Sequence, residues 1–207
     1  MVCGLINDGS SVSCDDLILG GTNSTAYFIN YDDIESITKL NGRITDITLK
    51  DGKVAYAFSA GRSDIKISQE TFQTRRKRQF KHTVGITIYD RTQAQKINMS
   101  RMLKGLFVVI VHLKGSDDDA IVVAGEEVGL VHQPANVQDA YTNGGNYLFT
   151  FTTEEYESNM VSSLGEDYED ALNIIEGLLG NELFGIELED SLDLIELEDS
   201  TDIILLQ

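Results

Sequence analysis

Apolar and polar residues alternate along most of the first 155 positions, which predicts a series of short β-strands. The alternation is cleanest in Asp64–Ser68 and Val84–Tyr89. The strongest turn signal is Asn41-Gly42, which lies between Ile34–Thr38 and Arg43–Leu49 and predicts a tight hairpin. Turn signals recur about every 8–12 residues, and this spacing favours a β-sandwich or a β-barrel.

One helix is predicted to interrupt the strands, over residues 92–104. Thr92 and Gln95 match a capping box, and apolar side chains follow at helical spacing at Met99, Met102, Leu103 and Leu106. The next segment, Phe107–Leu113, is apolar on both faces and therefore needs cover on both sides. We expect the helix to cover one face and the opposite part of the sheet to cover the other.

The pattern changes near residue 155. Ser163 and Glu166 match a second capping box, and a helix with one apolar face is predicted to end at Gly180. A nine-residue repeat follows, Ile186–Leu194 and then Ile195–Ile203, in which apolar and acidic residues alternate with the period of a strand. We therefore predict two units, a β-domain over 1–155 and an acidic helix-and-strand docking arm over 156–207, and expect the β-domain to fold without the arm.

Charge is divided unevenly along the chain. Residues 1–114 contain all 16 Lys and Arg and 11 Asp and Glu, a net charge of +5. Residues 115–207 contain the other 23 acidic side chains, so that the whole chain carries −18. This division suits a protein whose basic part contacts the acidic part of a neighbouring copy. It argues against general nucleic-acid binding, because a chain this acidic repels phosphate.

The basic side chains are densest in the run Thr74–His82. Three interpretations are open: a docking surface for the acidic half of an adjacent copy, a solvated hairpin tip between Ile67 and Val84, or a nucleic-acid contact in which Phe80 stacks on a base. The first fits the charge division best. The candidate docking residues are Arg75, Arg76, Lys77, Arg78 and Lys81 on the basic side and Glu187, Glu189, Glu196 and Glu198 on the acidic side.

Motifs that carry catalysis or hold a cofactor do not occur in the sequence. His112 lies inside an apolar strand and is predicted to be a paired structural residue rather than a base. Asp117–Asp119 could ligate calcium but lacks the alternating ligands of a calcium loop, so a solvated turn is the preferred interpretation. Cys3 and Cys14 are expected to be reduced thiols, with a disulfide as the alternative. We predict no enzymatic activity, no cofactor and no metal.

Membrane and secretion signals do not occur in the sequence either. No apolar run reaches about 18 residues, and the first sixteen residues lack the basic patch and apolar stretch of a secretory signal. We expect synthesis in a cytoplasm and no membrane partner.

Two segments of the β-domain resemble a known family. They are Val122–Leu130, with its Gly-x-Glu-x-Gly-Leu pattern, and Asn143–Glu155, which matches the family's Gly-x-Tyr-x-Leu-Thr-Phe-Thr-x-x-Glu pattern except that Phe149 stands at the Leu position. Together with the cysteine-bearing start and Ala26–Ile34, they resemble the tail tube, or major tail, proteins of phages of Bacteroides-type hosts. The resemblance covers roughly residues 1–155, and the acidic arm departs from the family pattern.

The resemblance implies a tail-tube type of β-sandwich or barrel with one flanking helix, whose copies join into a ring, often six-fold, around a DNA channel. The expected function is that of a structural virion protein in a ring or tube of a phage tail. The expected partners are further copies in a six- or twelve-fold ring, other tail or connector proteins, and DNA only in transit. The alternative is a carbohydrate- or surface-binding β-sandwich module. The absence of Trp ranks this alternative lower, because such sites display exposed aromatic side chains.

Overall fold

Antiparallel strands dominate the computed structural model of the chain, which describes residues 21–60, 64–73, 78–89, 92–115, 117–134 and 146–180. Eleven strands and two helices lie in these ranges, with a short 3-10 turn at Tyr31–Asp33. The strands are β1 Thr22–Asn30, β2 Ile34–Leu40, β3 Arg43–Leu49, β4 Tyr56–Ser59, β5 Ile65–Gln73, β6 Arg78–Ile88, β7 Leu106–Leu113, β8 Ile121–Ala124, β9 Leu130–His132, β10 Tyr147–Thr152 and β11 Ser162–Ser163. The helices are α1 Gln93–Met102 and α2 Tyr168–Leu179. The prediction of a mainly-β protein is confirmed.

Nine of the strands form one large antiparallel sheet, in which seven follow the order β11-β8-β7-β9-β10-β6-β5, β1 pairs with β7, and β4 pairs with β1. Strand β7 lies at its centre, because β8 and then β9 pair with one edge of β7 while β1 pairs with the other. The chain passes from β8 to β9 at Gly125, whose φ of +79° is open to glycine but strained for other residues. A Cβ at Gly125 would lie 2.8 Å from the Leu130 side chain, so this turn is also closely packed.

The first core lies on the face of the sheet that α1 covers. It combines aromatic rings from β1, β7 and β10 with aliphatic residues of β5, β6 and β8. Phe28 contacts Phe107 and Phe151 edge to face, at centroid distances of 5.8 and 5.3 Å. Met99 and Met102 of α1 are buried in the same cluster, so the predicted packing of this helix on the sheet is confirmed.

The second core lies on the opposite face of β7 and β8. Val108 and Ile110 of β7 pack there against the β2–β3 hairpin and against α2. Strand β7 is therefore buried on both faces, as its sequence predicts. The cover on this second face, however, comes from the segment that we predicted to be an arm. The buried residues that α2 and its flank contribute are Leu164, Ala171, Ile175 and Leu178.

The packing does not break at the predicted 155/156 boundary. Backbone hydrogen bonds join Phe80 and Glu157 in both directions, at 2.9 and 2.8 Å, and β11 pairs with β8. The Leu178 carbonyl accepts from the Ala55 amide at 2.8 Å. Residues 156–180 are thus integral to the fold because they shield the apolar face of β7. The repeat at 186–203 lies outside the described residues.

Helix caps and turns follow the predictions with one exception. The Thr92 hydroxyl accepts from the Gln95 amide at 3.3 Å, and Asn41 and Gly42 have φ values of +52° and +85°, as a tight hairpin turn requires. The second capping box is wrong. Asp167 caps α2 by accepting from the Asp170 amide at 2.8 Å, because Ser163 lies in β11 instead.

Candidate functional site

Two of the predicted docking residues, Arg78 and Lys81, belong to a long hairpin formed by β5 and β6. Its register runs from Ile65 opposite Ile86 to Gln73 opposite Arg78. Lys81 is opposite Glu70, a pairing of opposite charges that stabilises neighbouring strands. Arg75, Arg76 and Lys77, and likewise Glu187, Glu189, Glu196 and Glu198, lie outside the described residues. Of Arg78, the structure describes only its place at the start of β6.

An aromatic pair lies beside this hairpin. The rings of Phe72, on β5, and Tyr156 stack with a centroid distance of 4.7 Å and an angle of 12°. The two residues remain 46% and 38% exposed. Because Tyr156 belongs to the segment that pairs with Phe80, the pair ties the loop after β10 to the hairpin near its tip. It also leaves apolar surface open to a partner.

A buried acid–base pair lies at the middle of the hairpin, where His82 is opposite Gln69. His82 and Glu157 are both fully buried, with the His82 Nδ1 3.9 Å from the Glu157 Oε2. The Gly125 amide donates to His82 Nδ1 at 3.3 Å, so the other ring nitrogen, Nε2, carries the hydrogen and donates to the Asn159 carbonyl at 3.1 Å. These contacts hold a neutral imidazole, in agreement with the burial that lowers the pKa of His82.

Burial also favours the uncharged form of Glu157. Burial and, less strongly, the nearby Glu126 and Glu127 carboxylates raise its pKa to about 7, while the Glu127 amide opposes the shift by donating to Oε2 at 3.3 Å. Its Oε1 is buried and has no hydrogen-bond partner among the described residues. Protonation removes a charge that these surroundings would otherwise leave poorly compensated.

A second buried carboxylate, Glu126, lies close by with partners of its own. Its Oε1 accepts from the Lys39 ammonium and from the Ser162 hydroxyl, the latter at 3.1 Å. Lys39 belongs to the β2–β3 hairpin and Ser162 to β11, so this carboxylate joins three separate parts of the fold. Neighbouring Glu127 binds outward, accepting from the Ser158 amide at 2.7 Å and from the Asn159 amide side chain at 2.9 Å.

This cluster positions the loop 153–162 against the hairpin. Two grooves are described on the surface, and neither is lined by His82, Glu126 or Glu157. In the part of the chain that the structure describes, no group of three or more His, Cys, Asp and Glu side chains could hold a metal ion.

The structure also describes His112, predicted to be a paired structural residue, and the acidic turn Asp117–Asp119, predicted to be solvated. The three aspartates of the turn are exposed. His112 is half-buried and paired, with ring nitrogens 2.7 Å from the Asn23 amide and 3.3 Å from the Tyr168 hydroxyl, as predicted for a structural residue. Asp119, in the acidic turn, accepts from Arg43 and from the Ser163 hydroxyl, both at 2.7 Å. Its carboxylate therefore joins the turn to β3 and β11.

The sequence-based reasoning missed the buried cluster, although one signal for it was present. His82 is in phase with Val84, Ile86 and Ile88 on β6, and all four are buried. Extending the alternation back by one step would have placed the histidine in the core rather than in the basic run. For Glu157 and Glu126 the sequence carries no such signal, because their burial depends on strands that are distant along the chain.

Comparison with known proteins found no match among protein-family models, curated proteins or solved structures. Neither helix in the described ranges is both long and apolar enough to cross a membrane.

Proposed function

We propose that the protein is a non-enzymatic structural component that assembles with copies of itself into a ring or tube of a phage tail. The observation that carries the proposal is the β5–β6 hairpin. It ends the nine-stranded sheet and bears the densest basic run of a chain whose second half is strongly acidic. In this proposal the fold is a tail-tube type of β-sandwich or barrel with flanking helices.

Unpaired strand edges support self-assembly. Among the described residues, β5 pairs only with β6, and β4 pairs only with β1. Soluble monomers usually protect such edges, whereas a closed ring pairs each edge with the next subunit. Each of these edge strands also exposes an aromatic side chain, Phe72 on β5 and Tyr56 on β4, which is 50% exposed. Edge pairing would cover both.

Charge complementarity supports contact between the basic hairpin and the acidic half of a neighbour. Opposite potentials steer association and set the register of the two surfaces. The proposed docking residues are those predicted from the sequence, from Arg75 to Lys81 on one copy and from Glu187 to Glu198 on the next. In a six- or twelve-fold ring, the excess negative charge would let DNA pass without adhering. The further partners are other tail or connector proteins, and the location is the virion.

The buried cluster supports a structural rather than a catalytic role. A general base must come within hydrogen-bonding distance of the proton that it removes from a substrate. His82 and Glu157 are both fully buried and line neither groove, so we assign them to the positioning of the 153–162 loop.

Sedimentation velocity of the full chain across protein and salt concentrations tests the proposal. Self-association should strengthen as salt is lowered, because exposed charges attract one another more when they are less screened. A chain that stays monomeric at every salt and protein concentration would contradict the proposal.

A carbohydrate- or surface-binding module remains the second candidate, and one observation favours it. The exposed Phe72–Tyr156 stack offers a flat apolar face of the kind that sugar rings bind. Glycan-array binding that is lost in Phe72→Ala, with the oligomeric state unchanged, would favour this candidate over self-assembly.

A further inference from the structure

A groove of about 520 Å³ opens between β5 and the start of β1. It is lined by Gly21, Thr22, Ile65, Lys66, Ile67, Ser68 and Leu113. At one end the Thr22 hydroxyl donates to the Ile65 carbonyl at 2.7 Å. No described strand pairs with this edge of β5. The groove is therefore a gap in which the backbone of β5 can accept another strand.

The register of the hairpin shows which backbone groups point into this gap. The Thr87 amide donates to the Asp64 carbonyl at 3.2 Å, so Asp64 and Thr87 form a hydrogen-bonded pair. Such pairs alternate along an antiparallel ladder, so Ile65 and Ile67 direct their N–H and C=O groups away from β6. The Thr22 hydroxyl donates to the Ile65 carbonyl, whereas the backbone N–H and C=O groups of Ile67 face the open edge.

The side chains around the groove divide into an apolar wall and a basic rim. Ile65 is buried, and Ile67 and Leu113 are half-buried, on the inner side. Lys66 is exposed on the other face of β5, and the Lys114 side chain lies beside Gly21. Neither lysine has an ion-pair partner among the described residues. A strand that fits here needs one apolar face and one acidic face.

We propose that this groove binds residues 186–203 of a second copy of the chain, which add a strand to the edge of β5. The proposal rests on the self-assembly proposed above and extends the surface that receives the acidic segment from the basic run to the Ile65–Ser68 edge of the same hairpin. Its two repeats each begin Ile-Glu-Leu-Glu, at Ile186–Glu189 and Ile195–Glu198. In a strand, successive side chains point to opposite faces, so isoleucine and leucine share one face and the glutamates share the other.

The match extends to length and to cross-strand pairing. Four residues of strand span about 13 Å, the length of the Ile65–Ser68 edge. With the apolar face beside Ile65 and Ile67, a glutamate of the added strand comes opposite Lys66, where opposite charges stabilise the ladder. Residues 1–20 are the competing occupant from the same chain. Their apolar run, Leu17–Leu19, does not alternate, and a single residue separates it from Gly21, which lines the groove.

Photo-crosslinking in mixed-isotope protein tests the proposal. The full chain carries a benzophenone amino acid in place of exposed Ser68 and is mixed with heavy-isotope-labelled full chain before irradiation. Mass spectrometry of the digest should show the Ser68 peptide joined to heavy peptides from 186–203. The matched control places the same group at Thr38, an exposed position on β2, and should give no such product.

Proline variants test the strand geometry without changing charge. The double variant Leu188→Pro/Leu197→Pro removes two backbone donors within the repeats and should lower the crosslink yield by about tenfold. Crosslinks from Ser68 to residues 1–20, or only within one isotope, would overturn the proposal. So would an unchanged yield in the proline variant. If oligomers form without the 186–203 crosslink, only this inference fails, whereas the absence of any oligomer counts against the proposed function itself.

Discussion

His82 and Glu157 face each other inside the protein, on two segments joined by backbone hydrogen bonds, with Nδ1 and Oε2 3.9 Å apart. The contact is too long for a hydrogen bond, and both side chains are fully buried. Burial lowers the pKa of His82 and raises that of Glu157 to about 7, so the Glu157 side chain is mainly protonated below this pH. That protonation makes the stability of the protein sensitive to pH.

The first prediction concerns the variant Glu157→Gln. The pKa of Glu157 is about 7 in the folded protein, raised from an ordinary value of 4.5, so between these values the folded chain keeps a proton that the unfolded chain releases. The free energy of unfolding should consequently fall as pH rises through this window, by up to about 3 kcal/mol from this group. Glu157→Gln should remove that fall and be more stable than the parent protein at pH 8.

Urea unfolding at a series of pH values measures this effect. Glu155→Gln, at an exposed position two residues away, is the matched control and should follow the parent curve. The lowered pKa of His82 acts in the opposite direction, because the unfolded histidine takes up a proton below about pH 6.5. The parent protein and Glu157→Gln both contain His82, so its contribution cancels when their pH curves are subtracted. Parallel pH curves for Glu157→Gln and the parent would show that Glu157 is ionised throughout.

The second prediction concerns the 155/156 boundary, across which α2 packs on the second face of β7. A chain that ends at residue 155 should fail to fold, because it loses α2 and exposes the second face of β7. A chain that ends at residue 180 should keep a cooperative thermal transition, since it retains every described residue. Circular dichroism and soluble yield compare the two. A soluble, cooperatively folding 1–155 chain would restore the original boundary.

The third prediction isolates the packing of α2. Ile175→Ala should lower the free energy of unfolding by about 2–4 kcal/mol, because Ile175 is buried in the second core. Glu176→Ala, at the next and exposed position of the same helix, should change it by less than about 0.5 kcal/mol. Equal effects of the two substitutions in denaturant unfolding would mean that α2 does not pack on the sheet.

The fourth prediction concerns the ion pair of Lys39 and Glu126. Lys39→Met should destabilise the fold by about 3 kcal/mol, because it leaves the fully buried Glu126 carboxylate without its cation. Adding Glu126→Gln should recover much of this loss, since the orphaned charge is then removed. A double-mutant cycle at neutral pH measures the coupling. If the losses of unfolding free energy caused by Lys39→Met and Glu126→Gln simply add in the double variant, the predicted coupling is contradicted.

The fifth prediction concerns the docking charges. Arg75→Glu/Arg76→Glu should weaken self-association by at least about tenfold, because like charges would then oppose the acidic half of a neighbour. Lys96→Glu/Lys104→Glu is the control, since it makes the same change in net charge at exposed positions on and just after α1. Sedimentation velocity compares them at low salt. Equal weakening by both would show an effect of net charge alone.

The strands were predictable because alternation records which face of each strand is buried. It marked β3, β5 and β6, a continuous apolar run marked β7, and Asn41-Gly42 marked one hairpin. The role of α2 was not predictable in the same way. Its apolar face, with Ile175 at the centre, shows that the helix packs but not on what. The acidic residues around α2 indicated a separate arm, whereas the apolar face of the helix packs in the second core. The burial of Glu126 and Glu157 depends on partners as distant as Lys39, which no local pattern records.

Electron microscopy of the purified full-length chain at low salt tests the central claim of self-assembly most directly. The account predicts closed rings of uniform size, with class averages showing six or twelve subunits, that dissociate as salt is raised. Particles of monomer size alone, at every protein and salt concentration examined, would contradict it.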